Sequence, residues 1–328
     1  LSDSKDSDSI QKHFSKVFDG LVGLQFGATD ADGDASRFID QSDIIAMKGA
    51  GNESIGFKKR QFRLRKGVTK QMAADYTGEA MSYINPDVQV LSIDIWLAQV
   101  EEEMGNVLKE TTDFAIRAYS RMSKKAWLSR WPLQAVLAVK HIFWTMNVER
   151  CINDGFLENA YNTLSDQHEE DLKETVRLLR LEKNIRQWNS LNSVITMQTY
   201  QRDVIKLVRT ENVSNITDFS WTSHIRHYYT RPMKMNGIQQ SSTLEVALLG
   251  VSNKYGYEYL KASSRLVLTP LTLRCFRSLS VAARMKYFGA LHGPGGVGKT
   301  ETIKDYTRLL GRMCLVLNCS DAVTPALT

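Results

Sequence analysis

The sequence predicts a mostly α-helical chain with a small β-hairpin region, followed by the beginning of an α/β P-loop module. Three observations carry that prediction. Apolar residues recur at helical spacing through most of the stretch from Ile93 to Val208. Two short apolar-containing runs flank Gly49-Ala-Gly-Asn52, a turn composition. Near the other end, Gly293-Pro-Gly-Gly-Val-Gly-Lys-Thr300 fits G-x-x-x-x-G-K-[ST], a loop that cradles phosphate.

Taken in order, residues 1–9 are polar and acidic and are expected to lack fixed structure. Ile10, Phe14, Val17, Phe18, Leu21 and Leu24 share one helical face, which predicts a helix over 10–24. Asp30-Ala-Asp-Gly-Asp34 invites a calcium-loop reading. Its glycine falls one position early and no Glu closes the loop, so a solvated turn is expected. Ile39–Met47 and Ser54–Leu64 form the predicted hairpin, and Lys58 to Lys66 makes its second run basic. That stripe is too short to imply nucleic acid, and a solvated strand face suffices. Asn85-Pro86 marks a turn.

A long amphipathic helix is predicted from Ile93 to Ala118, with Glu101, Glu102 and Glu103 on its wet face. Trp131-Pro132 opens the next helix. Leu133 to Trp144 is apolar almost all round, so that helix is expected deep in the core, with His141 a satisfied core histidine. Phe156 to Val208 reads as two helices, and Asp218-Phe-Ser-Trp221 caps a short one reaching Tyr228. His224 and His227 have no third ligand and are read as surface or interface residues. Thr243–Val251 alternates as a strand, and Tyr255-Gly-Tyr-Glu-Tyr259 is expected to close the core. Arg265 to Thr272 is extended and apolar, and Arg274 to Ala283 is helical.

The loop needs a strand before it and a helix after it. Tyr287–Leu291 is the predicted incoming strand, Thr302–Leu310 the outgoing helix with Gly311 at its end, and Leu315–Leu317 a second buried strand. Gly295, Gly296 and Gly298 let the backbone curl so that N–H groups converge on phosphate. Lys299 supplies a cation, and Thr300 offers a hydroxyl to Mg²⁺ at the positive end of a helix. The apolar segment upstream is placed to wrap a purine.

At 328 residues the chain has room for about two domains, and its 43% hydrophobic and 24% charged content is that of a globular protein. A net charge of +6 permits an anionic partner without requiring one. No run of 18 apolar residues predicts a membrane span. The first residues are neither a signal peptide nor a basic transit peptide, and a start without Met suggests a chain that begins in mid-protein. Cys151, Cys275, Cys314 and Cys319 form no metal spacing and are expected as buried, reduced thiols in a cytosolic setting.

Several separated blocks together resemble the dynein heavy chain family, over roughly residues 10 to 321. They are Ile95-Trp-Leu-Ala-Gln-Val-Glu101, Trp131-Pro-Leu-Gln-Ala-Val136, Ile142-Phe-Trp-Thr145, Tyr200-Gln-Arg-Asp-Val204 and Phe219-Ser-Trp221. Tyr255-Gly-Tyr-Glu-Tyr-Leu260, Arg265-Leu-Val-Leu-Thr-Pro-Leu-Thr272, the loop continued through Glu301-Thr302, and Asn318-Cys-Ser-Asp321 complete the set. The last blocks look more axonemal than cytoplasmic. Leu273, Val297 and Gly295 depart from the usual family residues, as does the sequence after Asp321.

The resemblance implies a helical linker over 1–262 and the start of the first AAA+ module over 263–328. It implies ATP and Mg²⁺ as ligands. The contacting residues would be Gly293, Pro294, Gly295, Gly296, Val297, Gly298, Lys299, Thr300 and Glu301, with Leu268, Pro270 and Leu271 around adenine and Thr300 on Mg²⁺. It implies a microtubule motor working with the rest of the AAA+ ring and with intermediate, light intermediate and light chains, in the cytoskeleton of a cilium or flagellum. Neither nucleic acid nor membrane is an expected partner. The Walker B acids, sensors and arginine finger are not in the sequence, so these residues alone are expected to bind nucleotide weakly and not to hydrolyse it. The alternative is a non-enzymatic interaction or structural role for the helical linker surface.

Overall fold

The computed structural model describes residues 18, 21–26, 44–49, 53–56, 93–154, 158–235, 238–260 and 264–319. The expected turns at 30–34 and 85–86, the basic run at 58–66 and the last two residues of the block ending at Asp321 lie outside them. The described part is mainly helical with small antiparallel sheets.

β1 (Leu21–Phe26), β2 (Ile44–Gly49) and β3 (Ser54–Gly56) form one sheet in that order. The predicted hairpin is present, with Met47 opposite Ile55 and Lys48 opposite Ser54. The helix expected through Leu24 is corrected: Leu21 and Leu24 lie on a strand paired to β2. Both are buried, together with Phe18 and Met47. Spacings of three and four mimic a helical face, and cross-strand pairing overrides that local pattern here.

α1 (Ile93–Ala118) has the predicted bounds. Val100, Met104, Val107, Leu108 and Ala115 are buried on one stripe while Glu101 and Glu102 stay exposed. After α2 (Lys124–Arg130) comes α3 (Leu133–Asn153), the central helix. Pro132 is its N-cap rather than a residue of its first turn. α3 packs against α1, α4 (Glu158–Leu181), α5 (Ile185–Thr210) and β4 (Arg226–Thr230), so nearly all its faces are buried. α4 and α5 pack on each other along their length, as a short turn between two helices dictates.

One ion cluster ties four helices together. Lys140 of α3 is buried and meets Asp171 of α4 at 2.8 Å. Lys124 of α2 binds the same carboxylate at 2.5 Å, and the Gln198 amide of α5 donates to it. Burial alone would raise the Asp171 carboxyl, but the two lysines together hold it below the usual carboxylate range.

α6 (Phe219–Thr222) is a single turn that buries Trp221. The chain then leaves as β4, so Tyr228 is on a strand and not on the predicted helix. β4, β7 (Thr243–Leu248) and β8 (Val251–Lys254) form the second sheet. β5 (Met233–Met235) and β6 (Ile238–Gln240) make a small hairpin between β4 and β7. The surface reading of His224 and His227 is also corrected, since both are buried. His141 and His227 stand 4.4 Å apart between ring centroids, and His141 Nε2 lies 3.0 Å from the Ile225 carbonyl. Tyr200 Oη lies 3.1 Å from His224 Nδ1. Of the cysteines only Cys151 is buried, whereas Cys319 is exposed.

The Tyr255–Tyr259 segment closes the core as predicted, with all three tyrosines buried. After it come α7 (Pro270–Arg284) and α8 (Lys299–Leu309). Phe276 of α7 is fully buried and meets the Tyr306 ring of α8 at 5.4 Å.

Candidate nucleotide site

The Gly293–Thr300 loop lies directly before α8 and is largely exposed. Gly296 and Gly298 adopt φ of 77° and 85°, the left-handed region where a side chain is strained. Gly298 is the N-cap of α8, and no heavy atom lies where a Cβ on Gly295, Gly296 or Gly298 would stand. The glycines therefore serve the curl of the backbone and an open face, rather than tight internal packing.

The first intrahelical bond of α8 runs from Thr302 N–H to the Gly298 carbonyl, at 2.9 Å. The amides of Lys299, Thr300 and Glu301 precede it and point out of the helix end, where the macrodipole is positive. Lys299 folds back over the loop: its ammonium donates to Gly293 O at 2.8 Å and to Pro294 O at 2.5 Å. Thr300 is exposed at the helix start, and Glu301 accepts from Lys304 at 2.8 Å. Outward amides, a cation and a hydroxyl around an open curl are the donor set an oligophosphate with Mg²⁺ requires.

The predicted helix after the loop is present, starting at Lys299 instead of Thr302, and Gly311 follows its end with φ 66°. The two predicted strands are not. Tyr287–Leu291 and Leu315–Leu317 are without strand structure and expose Tyr287, Phe288, Leu315 and Leu317. A strand forms when a neighbour pairs its N–H and C=O groups, and among the described residues no strand lies beside either segment.

The residues expected around adenine are not gathered with the loop. Leu268 and Pro270 line a cavity of about 410 Å³ whose other walls are Tyr200, Val204, Leu207 and Phe219 of the helical part. None of Gly293 to Glu301 lines it. Leu271 is not among its walls and is 71% exposed. Val267 is 69% exposed and was not singled out from the sequence. Alternation along the extended 265–269 segment sends Leu266 and Leu268 inward and Val267 outward, a signal that could have found it. Pro270 begins α7 because Thr269 caps it, accepting from Thr272 N–H at 3.2 Å. The helix therefore starts four residues before its predicted beginning. Leu273, one of the departures from the family residues, is buried against the same cavity.

The extended segment is locked to α8. Arg265 Nε donates to Asp305 Oδ1 at 2.7 Å and Arg265 Nη2 to Oδ2 at 3.1 Å, with Asp305 fully buried. No charged residue in the sequence pattern announced this pair.

Comparison with known proteins agrees with this geometry. Residues 255–327 match the family described as the hydrolytic ATP binding site of the dynein motor region, and residues 1–115 match dynein heavy chain, N-terminal region 2. The chain is similar to human dynein axonemal heavy chain 3, at 30% identity over 323 residues, covering 98% of this chain and 7% of that protein. It is 31% identical over 325 residues to mouse dynein axonemal heavy chain 12, covering 98% of this chain and 9% of the relative. Mouse dynein axonemal heavy chain 1 is 30% identical over 321 residues, of which it is 6% covered. The chain thus spans less than a tenth of the length of these relatives. Matches at both ends, alignment along almost the whole chain and a phosphate-type loop at the start of α8 agree: the chain belongs to the dynein heavy chain family.

Proposed function

We propose that this chain is the part of a microtubule-motor ATPase in which a nucleotide-binding module meets a helical linker, residues 263–328 forming the start of the module and 1–262 the linker. The observation that carries the reading is the open glycine loop at the N-terminus of α8 with Lys299 folded across it. On this reading the amides around Gly296 to Thr300 hold the phosphates of ATP. Lys299 exchanges two loop carbonyls for phosphate oxygens, and Thr300 supplies a hydroxyl to Mg²⁺. Val267 and Leu271, both exposed and apolar, are the side chains available to meet a purine; Leu268 and Pro270 instead line the cavity shared with the helical part. Bound Mg²⁺ screens charge between phosphate oxygens. Binding is coupled to linker movement, and in the axoneme the work is done on microtubules, together with the remaining AAA+ ring and accessory chains. The relatives' axonemal names support that setting.

The test is calorimetric titration of the 328-residue chain with Mg-ATP. Wild type is expected to bind, and Lys299→Ala to weaken binding by about 10- to 100-fold, the worth of a charge-assisted hydrogen bond. No binding by wild type, or equal binding by both, overturns the reading.

A further inference from the structure

Two glycines meet where the Tyr255–Leu260 strap crosses the end of α8. A Cβ on Gly256 would stand 2.8 Å from the Gly311 carbonyl oxygen, and a Cβ on Gly311 would stand 2.4 Å from the Tyr255 ring. That closeness allows direct backbone bonding. Gly256 N–H donates to Leu310 O and Glu258 N–H to Gly311 O, both at 2.9 Å, and Met313 N–H returns a bond of 2.6 Å to the Glu258 carboxylate. The C-terminal end of α8 is thus bound to the strap through three main-chain groups.

The other edge of the strap is held by one side chain. Gln134, in the first turn of α3, donates from Nε2 to Glu258 O at 2.9 Å and accepts from Leu260 N–H at 3.2 Å. Its amide copies the donor and acceptor pair of a neighbouring strand. The strap is also anchored at both three-stranded sheets: Tyr255 N–H donates to Leu244 O of β7 at 2.9 Å, and Tyr259 Oη donates to the buried Glu53 carboxylate, next to β3, at 2.8 Å.

α8 carries the phosphate-type loop at one end and the strap at the other. Its 11 residues span about 16 Å at ~1.5 Å per residue. A helix of three turns moves as a rigid rod, so any displacement at Lys299 arrives at Leu310. We propose that the Tyr255–Leu260 strap is the link by which phosphate binding at Gly293–Thr300 sets the position of α3, and that Gln134 is the positioning residue that completes it. The proposal rests on the nucleotide reading of the loop and adds the route from that loop to the linker's central helix. Gln134 touches no ligand and acts through the strap.

The test is amide hydrogen exchange of the 328-residue chain with and without saturating Mg-ATP, followed in segments 299–311, 255–260 and 133–140. In wild type, nucleotide slows exchange in all three, by about fivefold or more in the last, the lower end of ordinary coupling between sites. Gln134→Met keeps side-chain length and removes both bonds. Gln134→Asn is a milder cut, one methylene shorter and still polar, and keeps the experiment readable if the first variant folds poorly. Both variants are expected to retain the response at 299–311 and lose it at 133–140. A merely structural Gln134 would alter exchange equally with and without nucleotide. Binding with a response at 299–311 but none at 133–140 in wild type, or an undiminished response in both variants, overturns the link alone. Absence of Mg-ATP binding in wild type instead overturns the nucleotide reading and removes the input of the link.

Discussion

Arg265 and Asp305 face each other with two parallel bonds, of 2.7 and 3.1 Å, and the acid has no exposed surface. The pair fastens the extended segment before α7 to the middle of α8. Removing one member of a buried pair leaves the other uncompensated, which costs about 3–5 kcal/mol. Asp305→Ala is therefore expected to lower the urea midpoint sharply. An unchanged midpoint would show that the pair contributes little.

The Asp171 cluster has a similar logic in the helical part. Lys140 is 5% exposed and depends on Asp171 for its partner. Asp171→Ala should cost about 3–5 kcal/mol, whereas Lys140→Met together with Asp171→Leu should recover most of it, because an apolar pair needs no charge compensation. Chemical denaturation of the single and double variants decides this. A double variant no more stable than the single would count against it.

Stability is expected to fall in mild acid. Burial pushes His141 and His224 down to about 4, and burial with the nearby His141 and Arg265 charges also lowers His227. The unfolded chain takes up these protons near the ordinary value of 6.5, before the folded protein does. Folding stability is then complete above pH 6.5 and declines towards pH 4, by about 1.4 kcal/mol per pH unit for each such histidine. Urea midpoints at pH 7.5 and pH 5.5 should differ accordingly; equal midpoints would refute buried, neutral histidines.

Gly311→Ala should be costly although it adds one methyl group. A left-handed residue other than glycine costs about 1–2 kcal/mol, and the new methyl would overlap the Tyr255 ring. Tyr255→Leu in the same chain should relieve part of the overlap and leave the backbone term. A thermal melt of the single and double variants separates the two contributions.

Long helices were legible in the sequence because 3.6-residue periodicity over 26 residues has few alternatives, and α1 matched end to end. The pairing of β2 with β3 and the Thr302–Leu310 helix were legible from glycine placement. β4 was not, because Arg226–Thr230 has no clean alternation and its two buried members, Arg226 and His227, are polar. Their burial depends on α3 and β7, which are distant in sequence. In the candidate site the loop was readable from spacing alone. The Arg265–Asp305 pair and the Gln134 bonds were not, since each joins residues from 40 to 126 positions apart.

Tyr287–Leu291 and Leu315–Leu317 have a practical consequence. Each presents apolar side chains on backbone that no described strand pairs. Such rows are adhesive to other extended chains, which natural sheet edges counter with charge. The isolated polypeptide is expected to self-associate as its concentration rises, and Val316→Lys should delay that in sizing experiments without weakening nucleotide binding. Solubility in handling is therefore governed by the few residues on either side of the phosphate-type loop, and a partner strand laid along them would act as a solubiliser.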